Sequence, residues 1–466
     1  MAKIRIDGEI FAAERGECLS DVLLRAGKPL SLPCGGSGIC RKCRVTVNGQ
    51  EVLACRYVIE NDTEVQLPKR ETIVAEAVEA AGGQTDGPAA AALDLGTTTL
   101  ALALVAPKEK QVLRTVTAVN PQRAFGADVM SRIAYCKEHG PAALQSAVVA
   151  AVREMLQTLD VPEVETLYVA GNTTMLHLFF GVDPSSMGAA PYIPVFLEQK
   201  EAPGKQLGLP EIQTVVALPG AAAFVGADLS AGLNCVGLPP EGNYRLLIDL
   251  GTNAEVILFS RERAICTAAA AGPCFEGANI SCGMSASPGA ICAYSAEGYA
   301  TVGGAPAAGI CGTGLVDAIA ALLEDGTIDE TGLLEDESFT LAPGVVLTQA
   351  DVRQYQLAKS AVCSAVLSLL KRERVGFRQI DALYISGGFS AKINIDNAVK
   401  TGLLPAALKE KCISVGNSSL RGTVKYAFEK NDLSVFLDHM VYVDLAADPV
   451  FSELFVENMM FGGDEQ

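Results

Sequence analysis

The sequence predicts an α/β protein in which two like lobes follow a small cysteine-rich unit. Three observations carry that prediction. After about Ala90 the pattern alternates apolar strands with helices. A short motif pairing Asp with Gly-Thr occurs twice in that region, 155 residues apart. The first 68 residues instead hold short strands and a glycine-rich loop with closely spaced cysteines.

The N-terminal unit comes first. Lys3 to Ile6 and Glu9 to Ala12 read as a hairpin around Asp7-Gly8, and Leu19 to Ala26 as a short helix. Beyond the glycine-rich loop, Arg44 to Val47 and Glu51 to Ala54 turn at Asn48-Gly49, and Glu64 to Leu67 closes the unit at residue 68. Composition then shifts to Glu, Ala, Gly, Gln and Pro, so residues 69–90 read as a flexible linker.

Residues 91–466 form the larger region. Leu93-Asp94-Leu95-Gly96-Thr97-Thr98 is echoed by Ile248-Asp249-Leu250-Gly251-Thr252-Asn253. Each copy ends an apolar strand, and each is followed by a second strand, a charged turn and a third strand. The matching layouts imply two lobes of like fold, about 91–238 and about 239–466.

Composition narrows the function. Hydrophobic residues make up 49% and charged residues 19% of the 466, enough for a sizeable core. A net charge of −18 repels phosphate backbones, which argues against nucleic-acid partners. The longest apolar run, Thr99 to Pro107, is half a membrane span, and the first residues carry no apolar signal core, so a cytoplasmic protein without a membrane partner is expected. Fourteen cysteines in such a chain point to metal binding or buried thiols.

Cys34-x5-Cys40-x2-Cys43, followed after eleven residues by Cys55, is the sharpest signal. Three thiolates from a glycine-rich loop plus one distant thiolate suit a 2Fe-2S cluster. Structural zinc also takes four cysteines, although its sites usually pair two short knuckles. Cys266, Cys274, Cys282, Cys292 and Cys311 crowd one stretch at irregular spacings and read as small buried thiols.

The paired Asp-Leu-Gly-Thr turns suggest a phosphate grip. Successive backbone N–H groups of a tight turn cradle anions, and Thr97, Thr98, Thr99 and Thr252 add hydroxyl donors. Asp94 and Asp249 can hold magnesium directly or through water. Gly96, Gly251 and Asn253 complete the two turns. Gly387-Gly388 ends a strand where a nucleoside could lie against bare backbone, and Gly312-Thr313-Gly314 opens an apolar helix in the same manner. Asp228, at the start of a helix running to Leu233, is the candidate for orienting water at a γ-phosphate, or else an acid favoured by the helix dipole. No Gly-x4-Gly-Lys-Ser/Thr loop is present. His177 lies in an apolar helix and reads as a core residue, and Val450 to Phe461 reads as an amphipathic helix packed on the body.

On these residues the chain resembles known families. Residues 3–68 look like a plant-like or adrenodoxin-like ferredoxin of β-grasp fold. Residues 93–430 resemble the actin, heat-shock ATPase and sugar-kinase superfamily, of ribonuclease H-like fold, with phosphate-one at Asp94 to Thr99, phosphate-two at Asp249 to Asn253 and the adenosine motif at Gly387-Gly388. The pairing is similar to the reductive activators of corrinoid proteins. Asn120-Pro121-Gln122, Gly171-Asn172-Thr173-Thr174-Met175 and Phe224-Val225-Gly226-Ala227-Asp228 add to that likeness.

The resemblance implies an ATP-dependent enzyme. It would pass an electron from a 2Fe-2S cluster on Cys34, Cys40, Cys43 and Cys55 to the Co(II) cobalt of a corrinoid methyl carrier, restoring Co(I). ATP and Mg2+ would be bound in the larger region, and a low-potential donor would refill the cluster. A homodimer stays open, because longer family members carry an extra domain where this chain has only the linker. Two other readings share the machinery: an ATP-driven reductase of a different low-potential metalloprotein, and a redox-gated ATPase sensor.

Overall fold

The protein is described by a computed structural model covering residues 1–6, 8–26, 28, 30, 38, 43–67, 87–126, 128–160, 163–251, 253–388 and 390–462. Most of the linker expected over 69–90 lies outside these residues.

The N-terminal unit is a five-stranded mixed sheet. Its order is Glu9–Ala13, Ala2–Ile6, Thr63–Gln66, Arg44–Val47, Gln50–Leu53. Strict alternation directs Ala2, Ile4 and Ile6 inward and Lys3 and Arg5 outward. Leu19 and Leu23 of the helix Leu19–Arg25 bury against that inner face. Ala2–Ile6 pairs antiparallel with Glu9–Ala13 and parallel with Thr63–Gln66, the central strand of the unit.

The larger region holds two six-stranded sheets built alike. In lobe I, Ala90–Leu95 lies antiparallel to Thr99–Ala106 and parallel to Val164–Gly171. In lobe II, Tyr244–Leu250 lies antiparallel to Ala254–Phe259 and parallel to Ile380–Ser386. Both central strands are nearly continuous apolar runs, as strands covered on both faces must be. Each ends in the Asp-Leu-Gly turn, so the internal echo in the sequence is a duplication of structure.

Two helices join the lobes. Ala227–Val236 belongs to lobe I by sequence, and Ser418–Glu429 follows the last long strand of lobe II. They cross at glycines: a Cβ on Gly422 would lie 1.7 Å from the Ala231 carbonyl oxygen, and one on Gly232 would lie 2.9 Å from Ser418 Oγ. Asn234 Nδ2 donates to the Gly422 carbonyl at 2.9 Å, which fixes the crossing. Leu420, Val424, Tyr426 and Ala427 of the second helix bury in the core that contains the lobe I sheet. The simple division near residue 238 therefore misses this return. The chain re-enters lobe I because the apolar face of that helix finds its cover there.

The amphipathic C-terminal helix spans Pro449–Glu457 and packs on the long helix Gln349–Glu373, where Ser360 Oγ donates to the Phe455 carbonyl. His177 is a core residue. Its Nδ1 meets the Thr173 carbonyl at 2.7 Å, and its Nε2 accepts from the Val195 N–H at 3.0 Å.

Candidate functional site: a carboxylate-lined cleft and a thiolate pair

The lobe I turn is held from beneath. A Cβ on Gly96 would lie 2.4 Å from the Thr99 carbonyl oxygen, so the turn closes only around glycine. Asn120 Nδ2 donates to the Gly96 carbonyl at 2.8 Å, and the Asn120 N–H donates to the Thr98 carbonyl at 2.9 Å. Arg132 Nη2 donates to the Thr97 carbonyl at 2.6 Å. In a trans peptide the next N–H points opposite to the carbonyl, so the Thr97 and Thr98 N–H groups face away from these donors. Thr97, Thr98 and Thr99 are half-buried. Asn120 and Arg132 are fully buried, and burial lowers the Arg132 guanidinium to about 9.

Asp94, at the end of its strand, is gripped by the first turn of the joining helix. Asn417 Nδ2 and Ser419 Oγ each donate to its carboxylate at 2.7 Å. The lobe II turn is plainer. Gly251 N–H donates to the Asn253 carbonyl at 3.0 Å, and Asp249 receives a long contact of 3.4 Å from Ser386 Oγ. Thr252 lies outside the described residues.

Four carboxylates share the space between the turns. Burial raises Asp94, offset by Ser419 and Asn417. Burial and the Asp94 charge push Asp228 up to about 7. Burial, Asp228 and Asp94 push Asp249 up to about 7. Glu255 is raised well above its ordinary value by burial, Asp228 and Asp249. Asp228 sits in the first turn of Ala227–Val236, where its Oδ1 accepts from the Leu229 N–H at 2.9 Å. Gly226 lets that helix start press on the strand end, since a Cβ there would lie 2.5 Å from the Gly171 carbonyl oxygen. The helix dipole favours an anion at Asp228, yet burial and neighbouring charge prevail.

This donor set suits magnesium arriving with a polyphosphate. Among the described residues no three acidic, thiol or imidazole groups converge for direct ligation of one ion. Magnesium keeps several waters and takes one or two carboxylates plus phosphate oxygens, which is the chemistry these separated acids offer.

Sequence reading missed several members. Glu255 faces Asp249 across the hairpin register. Glu276 accepts from Thr98 Oγ1 at 3.2 Å, across 178 residues. Asn417, Ser419, Asn120 and Arg132 were equally unassigned as contacts of the turn. The alternation around Glu255 was the one available signal, because a residue opposite Asp249 must share its face.

Gly387 has φ +110°, and a Cβ there would lie 2.2 Å from the Leu250 carbonyl oxygen, so the adenosine-side glycines pack directly behind the lobe II turn. Gly388 is exposed beside it. Gly312, Thr313 and Gly314 start their helix against the turn Pro273–Glu276. Cβ atoms on Gly312 and Gly314 would each lie 2.2 Å from a carbonyl oxygen, of Phe275 and Ile291, and Thr313 Oγ1 is spent on the Cys292 carbonyl at 2.8 Å. Close packing requires glycine at both positions. A two-residue strand, Gly309–Ile310, does lead into that helix.

In the N-terminal unit Cys43 and Cys55 are buried with their sulfurs 3.2 Å apart. That exceeds the roughly 2.05 Å of a disulfide, so the two thiols converge without forming one. Convergent buried thiols fit a thiolate-bound metal centre. Cys34 and Cys40 lie outside the described residues. Elsewhere burial pushes Cys266 and Cys274 up to about 12, which keeps them protonated and inert. Cys311 is buried, whereas Cys282 and Cys292 are half-buried.

Comparison with known proteins meets this geometry. Residues 4–67 match the 2Fe-2S iron-sulfur cluster binding domain, residues 89–240 the RACo middle region, and residues 243–466 the C-terminal domain of RACo, the ASKHA domain. The chain belongs to the RACo family of reductive activators of corrinoid proteins. A corrinoid activation enzyme, RamQ, of Eubacterium limosum is 28% identical over 573 residues, covering 95% of this chain and 96% of the relative. A [Co(II) methylated amine-specific corrinoid protein] reductase of Methanosarcina barkeri is 28% identical over 390 residues, covering 73% and 70%. A solved reductive activator for a corrinoid, iron-sulfur protein superposes with a TM-score of 0.74 at 26% identity, covering 99% of this chain and 98% of that one. The family match gives the RACo fold, a ferredoxin unit ahead of an actin-like ASKHA region. Among the described residues no helix is long and apolar enough to cross a membrane.

Proposed function

We propose that this chain is an ATP-dependent reductase that returns the Co(II) cobalt of a corrinoid methyl carrier to Co(I). The observation that carries the reading is the union, in one RACo-family chain, of a converging thiol pair with a carboxylate cleft between two phosphate-type turns. Residues 1–68, 69–90 and 91–466 divide the labour as ferredoxin unit, linker and ATPase. A cytoplasmic protein is the reading that accords with work on a corrinoid carrier and with thiols kept reduced.

Cys34, Cys40, Cys43 and Cys55 would hold the 2Fe-2S cluster, which supplies a single low-potential electron when bound. Every other role falls to side chains and backbone of the cleft. The Gly96–Thr99 turn presents N–H and hydroxyl groups to phosphate, and the Gly251, Thr252, Asn253 motif would serve the same purpose in the second lobe. Asp94 and Asp249 would hold magnesium, directly or through water. Asp228 is placed to orient the attacking water, and its raised pKa allows it to accept a proton near neutral pH. Gly387 and Gly388 leave room for the nucleoside. Closure of the lobes then favours one redox state of the docked carrier, because only a differential affinity can bias the transfer.

The test mixes reduced protein with a Co(II) corrinoid protein and follows Co(I) absorbance. Co(I) should accumulate with MgATP and stay near baseline without it. Equal yields in both mixtures would remove ATP from the reaction.

A further inference from the structure

Glu276 closes the turn Pro273–Glu276 of lobe II, and its Oε2 accepts the Thr98 hydroxyl proton at 3.2 Å. The other oxygen, Oε1, lies 3.8 Å from where a Cβ on Gly251 would sit. One carboxylate thus spans the two turns that face each other from opposite lobes. Beneath the first turn stands Arg132, fully buried, its guanidinium donating to the Thr97 and Gly126 carbonyls and to no carboxylate among the described contacts. Asp128 and Glu276 supply the negative charge that it senses. Glu276 therefore completes an anion seat: a hydroxyl donor in front, a buried cation behind, and a glycine turn opposite.

A phosphate entering that seat needs the same Thr98 proton. A hydroxyl has one proton to donate, so carboxylate and phosphate cannot both receive it. We propose that Glu276 competes with the nucleotide phosphates for Thr98, setting ATP affinity and tying the lobes together until a phosphate displaces it. The proposal rests on the cleft being the ATP site. It makes Glu276 an affinity-setting residue, one whose loss strengthens nucleotide binding.

Calorimetric titration of the full chain with MgATP tests this in E276Q, E276D, T98V and the E276Q/T98V double variant. E276Q weakens the competing acceptor and should bind about tenfold tighter, the factor expected when a charge-assisted hydrogen bond need no longer be broken. E276D keeps the charge but withdraws it from Thr98, and should gain as well. In the T98V background the E276Q gain should vanish, since nothing remains to compete for. Weaker or unchanged binding by E276Q overturns the proposal, as does a full gain in the T98V background. Absence of MgATP binding by wild type and E276Q alike overturns the ATP site itself.

Discussion

The two Asp-Leu-Gly turns began from one pattern and are now held differently. In lobe I, Asp94 faces Ala101 across the hairpin, and its carboxylate accepts one donor on each oxygen, from Asn417 and Ser419. In lobe II, Asp249 faces Glu255, and its one side-chain donor among the described contacts stands at 3.4 Å. The first turn is mechanically fixed, its carbonyls pinned by Asn120 and Arg132. The second is electrostatically strained, two acids side by side on one hairpin face. A duplicated motif thus gives one rigid jaw and one jaw that gains most from a cation. Symmetry of sequence does not imply symmetry of task.

The largest effect should come from removing either acid. Asp94→Asn and Asp249→Asn should each lower ATP turnover by about 100-fold or more, as loss of a charge that positions the metal does. The visible iron–sulfur spectrum should stay intact in both. Cys43→Ala should do the reverse, bleaching the spectrum while leaving ATP turnover measurable. Spectra and phosphate release on the same samples check all three.

Glycine substitutions sharpen the contrast between the jaws. Gly96→Ala drives a methyl to 2.4 Å from a backbone oxygen and should destabilise the protein by about 2–3 kcal/mol in urea unfolding. The nearest atom to a Cβ on Gly251 is 3.6 Å away, so Gly251→Ala should cost under about 1 kcal/mol. Equal losses would erase the distinction between a clamped and an open turn.

The smallest effect is in pH. Asp228 and Asp249 are raised from the ordinary carboxylate range to about 7 in the folded protein. Between about 4 and 7 the folded state then holds more protons than the unfolded chain, so stability falls as pH rises through that window. With partial exposure screening the charges, the loss should be about 1 kcal/mol between pH 5 and 8. Asp249→Asn should flatten the slope in denaturant melts, and magnesium should partly restore wild type at the upper end. A slope unchanged in Asp249→Asn would show that the acids do not strain one another.

Much of this was written locally. The strands and the ends that lead into the two turns are short-range patterns, and the structure places them within a residue or two of where alternation and turn chemistry put them. Glu255 to Phe259, for instance, became Ala254–Phe259. The missed contacts are long-range. Asn417 and Ser419 read as ordinary helix-start residues, and only folding carries them 323 and 325 residues back to Asp94. Glu276 precedes an unremarkable Gly-Ala-Asn run, and nothing in that run announces Thr98. Gly312 and Gly314 show a different ambiguity, because close packing and ligand contact call for the same missing side chain.

The joining helix Ser418–Glu429 has a consequence for biogenesis. Leu420, Val424, Tyr426 and Ala427 complete a core whose other walls lie mostly between residues 90 and 233, with Leu247, Ile257 and Phe259 added from the second lobe. During synthesis the first lobe therefore waits, with an apolar gap along its sheet, until nearly the whole polypeptide has left the ribosome. Maturation of the first lobe and of the second must finish together, and a chain stopped short of residue 418 would leave neither one sealed.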